Sequence, residues 1–317
     1  MAILGIDLGG TKLALATFSK DGEILSKDTV AVEGRRGTAV GSLITSQVIR
    51  FIEAGKINND HIEAIGISVP GIAHPGKGTT WVPNIPGWED YPLLEEIRAV
   101  SGNIPVSIDS DRACYILGEV WKGNAKGCRD AIFMSVGTGI GAGIMINGEV
   151  LRGSNDIAGC IGWMALQRPF HEKYKSCGCF EYYASGEGIA KVAKSDLADN
   201  EEYDGPLRQI DLDKITSHDV FEAYGKGDPF AIGIIKQCVE FWGMAVANLV
   251  SLFNPEMIIF GGGVFGPALP LLPAIYEEAR KWAQPVGITQ VKLTGSSLKG
   301  DAGVYGAGFL ALKMILK

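Results

Sequence analysis

Three glycine-rich turns in the sequence have the composition of phosphate-binding loops. They read Asp7-Leu-Gly-Gly-Thr-Lys12, Gly137-Thr-Gly-Ile-Gly-Ala-Gly143 and Gly261-Gly-Gly263, and each follows an apolar run that predicts a β-strand. Glycine lets backbone amides approach an anion without Cβ hindrance, and consecutive amides form a concave nest for phosphate oxygens. A plain hairpin explains one such turn, but three at strand ends favour phosphate binding. The candidate residues are Asp7, Gly9, Gly10, Thr11, Lys12, Gly137, Thr138, Gly139, Gly261, Gly262 and Gly263.

The residues next to each turn indicate which part of a ligand that turn would contact. An acid such as Asp7 repels phosphate unless a cation lies between them, so Asp7 is predicted to neighbour Mg²⁺ through water. The second turn is neither a Walker loop nor a dinucleotide fingerprint, because no Gly-Lys-Ser/Thr closes it and residues 142–146 continue as a strand. The third turn precedes a helical pattern, and the dipole of that helix would suit an adenosine or phosphate contact.

Two acids, Asp109 and Asp111, lie where an apolar strand changes into a helical pattern over residues 113–121. Phosphoryl transfer requires positioning, charge neutralisation and a base for the attacking hydroxyl. A carboxylate at this junction is either such a base or a helix N-cap. The N-cap interpretation is preferred for Asp109, and residue chemistry alone leaves both open for Asp111.

Composition excludes several classes of protein. The formal net charge of −7 disfavours nucleic-acid binding. No uninterrupted apolar run reaches about 18 residues, and the N-terminal residues lack a signal-peptide pattern, so neither a membrane span nor secretion is expected. Six cysteines in 317 residues do not form a disulfide scaffold. A cytoplasmic protein follows, with two domains because a chain of this length exceeds one ordinary core.

An internal repeat indicates how those domains are built. Residues 3–25 and 132–151 each read as a strand, a glycine-rich turn, a strand, a Gly-Glu turn and a third strand. Two copies of one β-meander predict two similar α/β lobes facing a cleft, although any two glycine-rich hairpins look somewhat alike. The predicted first lobe is residues 1–112 with a terminal helix at about 302–317, and the second is residues 113–301.

These turns, in this order, resemble the ROK family (repressor, ORF, kinase) of sugar kinases over essentially the whole chain. The resemblance implies an α/β fold of two actin-like (ribonuclease H-like) lobes flanking a cleft, ATP and Mg²⁺ at the glycine turns, and a homodimer. It places the catalytic aspartate on Asp111. It also places sugar contacts on Asn84, in Val82-Pro-Asn-Ile-Pro-Gly-Trp88, and on Glu181, in Gly178-Cys-Phe-Glu181.

Departures from the family pattern bear on the substrate. Ser110 stands where the family usually has Asn, and Gly159-Cys-Ile-Gly-Trp163 stands where it has Gly-Glu-Ile-Gly-His. Ser110, Cys160 and Trp163 therefore take sugar-contact positions. An apolar site discriminates hydroxyls weakly, and Trp163 offers a flat face for a pyranose ring. A substituted or unusual hexose such as an N-acylhexosamine is one expectation; glucose, the family's most frequent substrate, is the default.

The family's zinc motif is degenerate here. A structural zinc normally takes four ligands, and this chain keeps Cys177-Gly-Cys179 of the usual cysteine pattern. His171, Cys177 and Cys179 with Cys160 could form an altered site, but reduced thiols in a loop are the preferred interpretation, so zinc is not expected.

Two functions of other classes compete with that of a kinase. A sugar-responsive repressor would carry an N-terminal helix-turn-helix region, for which a phosphate motif beginning at Asp7 leaves no room. A non-catalytic sugar sensor would explain the lost sugar contacts but not the retention of Asp111 and three glycine turns. The sugar, the hydroxyl that is phosphorylated and the oligomeric state stay open.

Overall fold

A computed structural model describes residues 1–316, and the chain divides into two compact units. The first unit contains Met1–Cys128, Val150–Ala158 and the chain from Ser296 onward. The second contains Arg129–Glu149 and Gly159–Gly295. Each unit has its own hydrophobic core.

A five-stranded sheet in the order β3-β2-β1-β4-β7 forms the centre of the first unit. Strand β1 is buried along nearly its whole length because helices cover both faces of the sheet. Helices α1 and α2 pack on one face, and α10 packs on the other beside α3. The elements are β1 (Ala2–Leu8), β2 (Lys12–Phe18), β3 (Ile24–Ala31), α1 (Thr38–Ile57), β4 (Ile62–Val69), β5 (Ile72–His74), β6 (Thr79–Trp81), α2 (Leu93–Ser101), β7 (Val106–Ser110), α3 (Asp111–Lys122) and α10 (Ala302–Ile315).

The sheet of the second unit has the order β10-β9-β8-β11-β12. Its central strands are buried, and the long helix α7 lies in the same hydrophobic core. The elements are β8 (Ala131–Val136), β9 (Ile140–Ile146), β10 (Glu149–Val150), α4 (Cys179–Ala184), α5 (Gly186–Ala198), α6 (Ser217–Gly225), α7 (Pro229–Phe253), β11 (Met257–Gly261), α8 (Leu272–Arg280), α9 (Gly287–Gln290) and β12 (Lys292–Gly295).

The two sheets have one topology. In each, the first two strands are antiparallel, and two later strands are added in parallel beside the first. The repeat in the sequence is therefore a repeat of structure, and the prediction of two similar α/β folds is confirmed. In both copies a glycine turn joins the first two strands, at residues 9–11 and 137–139.

Helix α7 is long and apolar enough, by length and composition alone, to cross a membrane. More than half of its most apolar window is nevertheless buried, with Ile234, Cys238, Trp242 and Val246 in the core. The Asp228 side chain caps its first turn by accepting the Ala231 N–H. This arrangement is typical of the core helix of a globular unit.

Candidate active site

The first glycine turn is closed by its own backbone. The Gly9 N–H donates to the Lys12 carbonyl at 2.8 Å, which brings β1 and β2 together as a hairpin. Gly10, Thr11 and Lys12 are exposed, and an added Cβ at Gly10 would meet no heavy atom within 4 Å. The turn therefore presents backbone amides with open space above them.

Asp7 lies at the carboxyl end of β1 in a tight setting. Ser68 Oγ on the adjacent strand β4 donates to Asp7 Oδ1 at 2.6 Å. A Cβ at Gly303 would lie 2.3 Å from Asp7 Oδ2, so glycine is required there for α10 to pass the carboxylate. Burial raises the pKa of Asp7, while the Ser68 hydrogen bond and the charge of Lys12 oppose the rise. The hydrogen bond and the nearby positive charge thus offset only part of the cost of burying the Asp7 carboxylate.

Asp111 is the first residue of α3, directly after β7. Its Oδ1 accepts the Arg112 backbone N–H at 2.7 Å. Burial raises the pKa of Asp111 to about 7; the Arg112 charge lowers it, and the Asp7 charge raises it further. A carboxyl with a pKa near neutrality is suited to general-base work.

The N-cap of α3 is Ser110, whose Oγ accepts the Ala113 N–H at 3.3 Å. The prediction that Asp109 caps this helix is therefore wrong. Asp109 is 1% exposed and takes the guanidinium of Arg152 through both carboxylate oxygens. The cap interpretation of Asp111 also falls, because Ser110 occupies that position.

Asn84 lies exposed in the loop between β6 and α2. Trp88 anchors this loop: its indole N–H donates to the Gly37 carbonyl at 3.0 Å, and its ring stacks on Tyr91 with centroids 4.4 Å apart. The Val82 N–H donates to the Trp88 carbonyl. A loop held by these contacts thus leaves Asn84 exposed to solvent.

In the second unit, the turn at residues 137–139 is joined to the start of α5. The Gly137 N–H donates to the Gly139 carbonyl at 2.9 Å, and the Gly186 N–H donates to the Gly137 carbonyl at 2.7 Å. An added Cβ at Gly137 would meet nothing within 4 Å, whereas one at Gly139 would strike Glu181. The Gly137 side of this turn is the side open to a ligand.

The third turn differs from its prediction in one respect. Gly262 has a φ of +87°, and a Cβ there would lie 2.3 Å from the Val136 carbonyl, so only glycine fits. Gly263 begins a single 3₁₀ turn, Gly263–Phe265, and the next α-helix starts at Leu272. The predicted helix is therefore wrong at this position. Backbone amides are offered here without the dipole of an α-helix.

One groove of about 700 Å³ brings the second and third turns together within the second unit. Its volume lies in the range of small-molecule sites. The sequence did not predict the part of its wall that comes from α5 and the start of α6, because such lysines and hydroxyls look like an ordinary solvated surface. The lining includes Gly137, Thr138, Gly186, Glu187, Lys191, Lys194, Thr216, Ser217, His218, Gly263 and Val264.

Glu181 lies in the first turn of α4 against the second glycine turn. Its Oε2 accepts the Ile140 N–H at 2.6 Å, and a Cβ at Gly162 would come within 3.0 Å of the same oxygen. Burial raises its pKa, and the Ile140 hydrogen bond opposes that rise. Cys160 is partly buried, and Trp163 is 57% exposed in a 3₁₀ turn. The indole face of Trp163 is therefore accessible.

The loop that carries His171, Cys177 and Cys179 is packed by aromatic rings. Tyr174 and Tyr183 hydroxyls lie 2.9 Å apart, and Lys173 Nζ lies 4.5 Å from the ring centroid of Tyr182. Cys179 is buried in α4. Over residues 1–316, no three His, Cys, Asp or Glu side chains are arranged to hold a metal ion.

Comparison with known proteins agrees with this architecture. The ROK family model matches residues 3–314. A glucokinase of Halalkalibacterium halodurans is 32% identical over 97% of this chain and 94% of its own. A xylose repressor of Caldicellulosiruptor bescii is 31% identical over 96% of this chain and 76% of its own.

Solved structures give the same result at the level of the fold. A ROK hexokinase from Thermus thermophilus has a TM-score of 0.81 at 28% identity and covers 100% of this chain and 99% of its own. A ROK glucokinase from Streptomyces griseus, in complex with glucose and AMPPNP, has a TM-score of 0.78 at 30% identity over 99% and 100%. The actin-like fold class inferred from the resemblance is confirmed, and the chain belongs to the ROK family.

Proposed function

We propose that this chain is an ATP-dependent hexose kinase. The observation that carries the proposal is Asp111, a partly buried carboxyl at a strand-to-helix junction whose pKa is raised to about 7. It lies in the same unit as Asp7 and the open first glycine turn. The similarity to a glucokinase solved with glucose and AMPPNP supports the same reaction class.

The nucleotide is assigned to the glycine turns. In the second unit, the groove lined by Gly137, Thr138 and Gly263 would take adenosine and the phosphates next to it. Amides over which no side chain projects can approach phosphate oxygens closely. In the first unit, Gly10 and Thr11 offer the same chemistry, with Lys12 adding a positive charge.

Substituting Gly137 with alanine should raise the KM for ATP at least about tenfold, because the methyl group would fill the space over the turn amides. No protein atom lies within 4 Å of that methyl position, so the fold should be retained. The measurement is steady-state ATP kinetics together with thermal melting. Gly233→Ala is the matched control, since this exposed glycine of α7 also has open space around it. An unchanged KM for ATP in Gly137→Ala would contradict the assignment.

Mg²⁺ fits the acids of the first unit. Asp7 and Asp111 interact electrostatically, which raises the pKa of Asp111, and a divalent cation would relieve that repulsion. Hard carboxylate oxygens and phosphates are the ligands that Mg²⁺ prefers. When bound, Mg²⁺ would neutralise charge on the phosphate oxygens. Asp7, oriented by Ser68, is the residue assigned to hold it, through water.

Asp111 is assigned the role of base. Its carboxylate accepts the proton of a sugar hydroxyl as the hydroxyl oxygen bonds to the γ-phosphorus and the bond from that phosphorus to the ADP oxygen breaks. Asn84 and Glu181 orient the sugar through its other hydroxyls, and the indole face of Trp163 can stack on the ring. The Cys160 thiol is a weak hydrogen-bond donor, and the Ser110 hydroxyl caps α3. Discrimination between sugar hydroxyls is therefore assigned mainly to Asn84 and Glu181.

The pH dependence of kcat/KM for the sugar should reflect the ionisation of Asp111. Only the carboxylate accepts a proton, so kcat/KM should fall as the pH drops below about 7 and should level off above it. Initial rates between pH 5 and pH 9 with a stability control at each pH would measure this. A profile that is flat down to pH 5 would contradict the role of Asp111.

ADP release measured against a panel of monosaccharides tests the function and identifies the sugar. Glucose is the default substrate, and an N-acylhexosamine is the alternative, because Cys160 and Trp163 stand where family members carry polar sugar contacts. We expect ADP release that depends on one or a few hexoses. Sugar binding without ADP release from any hexose would favour a sensor and overturn the proposal.

The proposal extends to the cellular setting and the oligomeric state of the enzyme. A net charge of −7 argues against a nucleic-acid partner. The six cysteines form no disulfide, which supports a reducing cytoplasm. A homodimer is inferred from the family alone, and sedimentation of the purified chain would test it.

A further inference from the structure

An ion pair between the buried Asp109 and the partly exposed Arg152 lies directly beside the proposed base. Asp109 is 1% exposed, and both of its carboxylate oxygens accept from the Arg152 guanidinium, Nη1 to Oδ1 at 2.8 Å and Nη2 to Oδ2 at 2.5 Å. The planar guanidinium matches a carboxylate in this two-point geometry, which fixes both groups in orientation. The pair joins β7 to the segment Val150–Ala158 within the first unit.

The Asp109 carboxylate also binds the residue at the start of α3. Asp109 Oδ1 also accepts the Ser110 N–H at 2.8 Å. Ser110 in turn caps α3 through the Ala113 N–H, and Asp111 is the first residue of that helix. Asp109 binds the Ser110 N–H, and Ser110 caps the helix that begins at Asp111. The orientation of Asp109 therefore helps to fix the orientation of Asp111.

A hydrogen bond between two side chains also holds the segment that carries Arg152. His74 Nδ1 on β5 lies 3.1 Å from Asp156 Oδ2, and both side chains are about three-quarters buried. The hydrogen bonds to Asp109, and further the charge of Asp156, raise the pKa of Arg152. Two attachments, to β5 and to β7, thus fix the segment and keep the guanidinium in place.

We propose that Arg152 is a positioning residue for phosphoryl transfer, which fixes Asp111 through Asp109 and Ser110. This inference rests on the proposed role of Asp111. Two elements of the site separated by 43 residues are coupled in this way.

Loss of Arg152 should have an electrostatic consequence as well as a geometric one. Asp111 is faced by Asp7 from β1 and by Arg112, Cys114 and Tyr115 from its own helix. Without Arg152, the negative charge of Asp109 would be left unpaired two residues before Asp111, and repulsion between the two carboxylates would favour the protonated form of Asp111. A role confined to stabilising the fold would leave the pH profile in place.

Arg152→Met, Arg152→Lys and the neutral pair Asp109→Asn/Arg152→Gln would be measured for kcat, both KM values, the pH profile and thermal melting. We expect Arg152→Met to lower kcat at least about tenfold, with the KM for ATP within about twofold, and to move the acid limb to higher pH. The double variant Asp109→Asn/Arg152→Gln should return the acid limb of the pH profile to the pH at which it lies in the parent. Arg50→Met is the matched control, because Arg50 pairs with Asp28 at the same 2.5 Å but on the exposed surface.

An unmoved acid limb in Arg152→Met, or a neutral pair with the limb shifted as in Arg152→Met, would overturn the inference. If Arg152→Met does not fold, Arg152→Lys decides: it keeps the charge but not the two-point contact, so a lower kcat at an unchanged limb is expected, and parental kcat would overturn the inference. Full activity in Asp111→Asn would instead defeat the proposed function, so the two failures are distinguishable.

Discussion

Asp111→Asn is expected to lower kcat by about 10²–10⁴-fold, because the amide keeps the shape of the side chain but cannot accept the hydroxyl proton. The KM values for ATP and sugar should change far less, since Asp111 is assigned to the transition state rather than to ground-state binding. Rapid-quench or steady-state kinetics would measure the effect. Asp28→Asn, which removes a surface carboxylate paired with Arg50, is the control and should retain parental kcat.

The same variant should be more stable than the parent at high pH. The pKa of Asp111 is raised in the folded chain, so folding favours the protonated form, and stability is lost as the pH rises from the ordinary aspartate range through about 7. Asparagine carries no charge to desolvate. The difference in Tm between Asp111→Asn and parent should therefore widen from pH 4 to pH 8. Loss of activity with a constant Tm difference would contradict this electrostatic account.

Asp7→Asn is expected to lower kcat by about 10²–10³-fold, because a fixed negative charge that would hold the cation near the phosphates is removed. Asparagine can still accept the Ser68 hydroxyl, so the local packing should persist. The Asp7 charge also raises the pKa of Asp111. Its removal should therefore move the acid limb of kcat/KM to lower pH.

Two readouts distinguish these effects in Asp7→Asn. Titration with Mg²⁺ at saturating ATP should show a higher Mg²⁺ requirement, and calorimetry should show weaker binding of Mg·ADP with little change for ADP alone. Asp60→Asn, at a surface site of the same unit, is the control. Parental kcat with an unchanged Mg²⁺ requirement would show that Asp7 has no part in phosphate handling.

The sequence predicted those parts of the fold that local pattern controls. Strand β2 and helix α7 are limited by local sequence: a hairpin turn ends the first, while Asp228-Pro229 and Asn254 bound the second. The repeat was visible because both meanders need glycine between their first two strands. Asp111 could be placed at the start of a helix because a β-branched and apolar strand changes there to a helical pattern.

What the sequence did not predict depends on contacts between distant residues. The partner of Asp109 is 43 positions away, and no local rule separates an aspartate paired with a distant arginine from an N-cap at a strand end. Lys191 and Lys194 have the spacing of an ordinary solvated helix face, and only the folded unit places them in the groove with Gly263. The short 3₁₀ turn after Gly262 was hidden because apolar residues beyond it mimic a helix.

Transfer of the γ-phosphate from ATP to a hexose can be followed directly by ³¹P NMR. We expect a sugar phosphate that accumulates in equal amount to ADP with the parent chain and that is nearly absent with Asp111→Asn. Inorganic phosphate formed without sugar phosphate, or equal product from both chains, would contradict it.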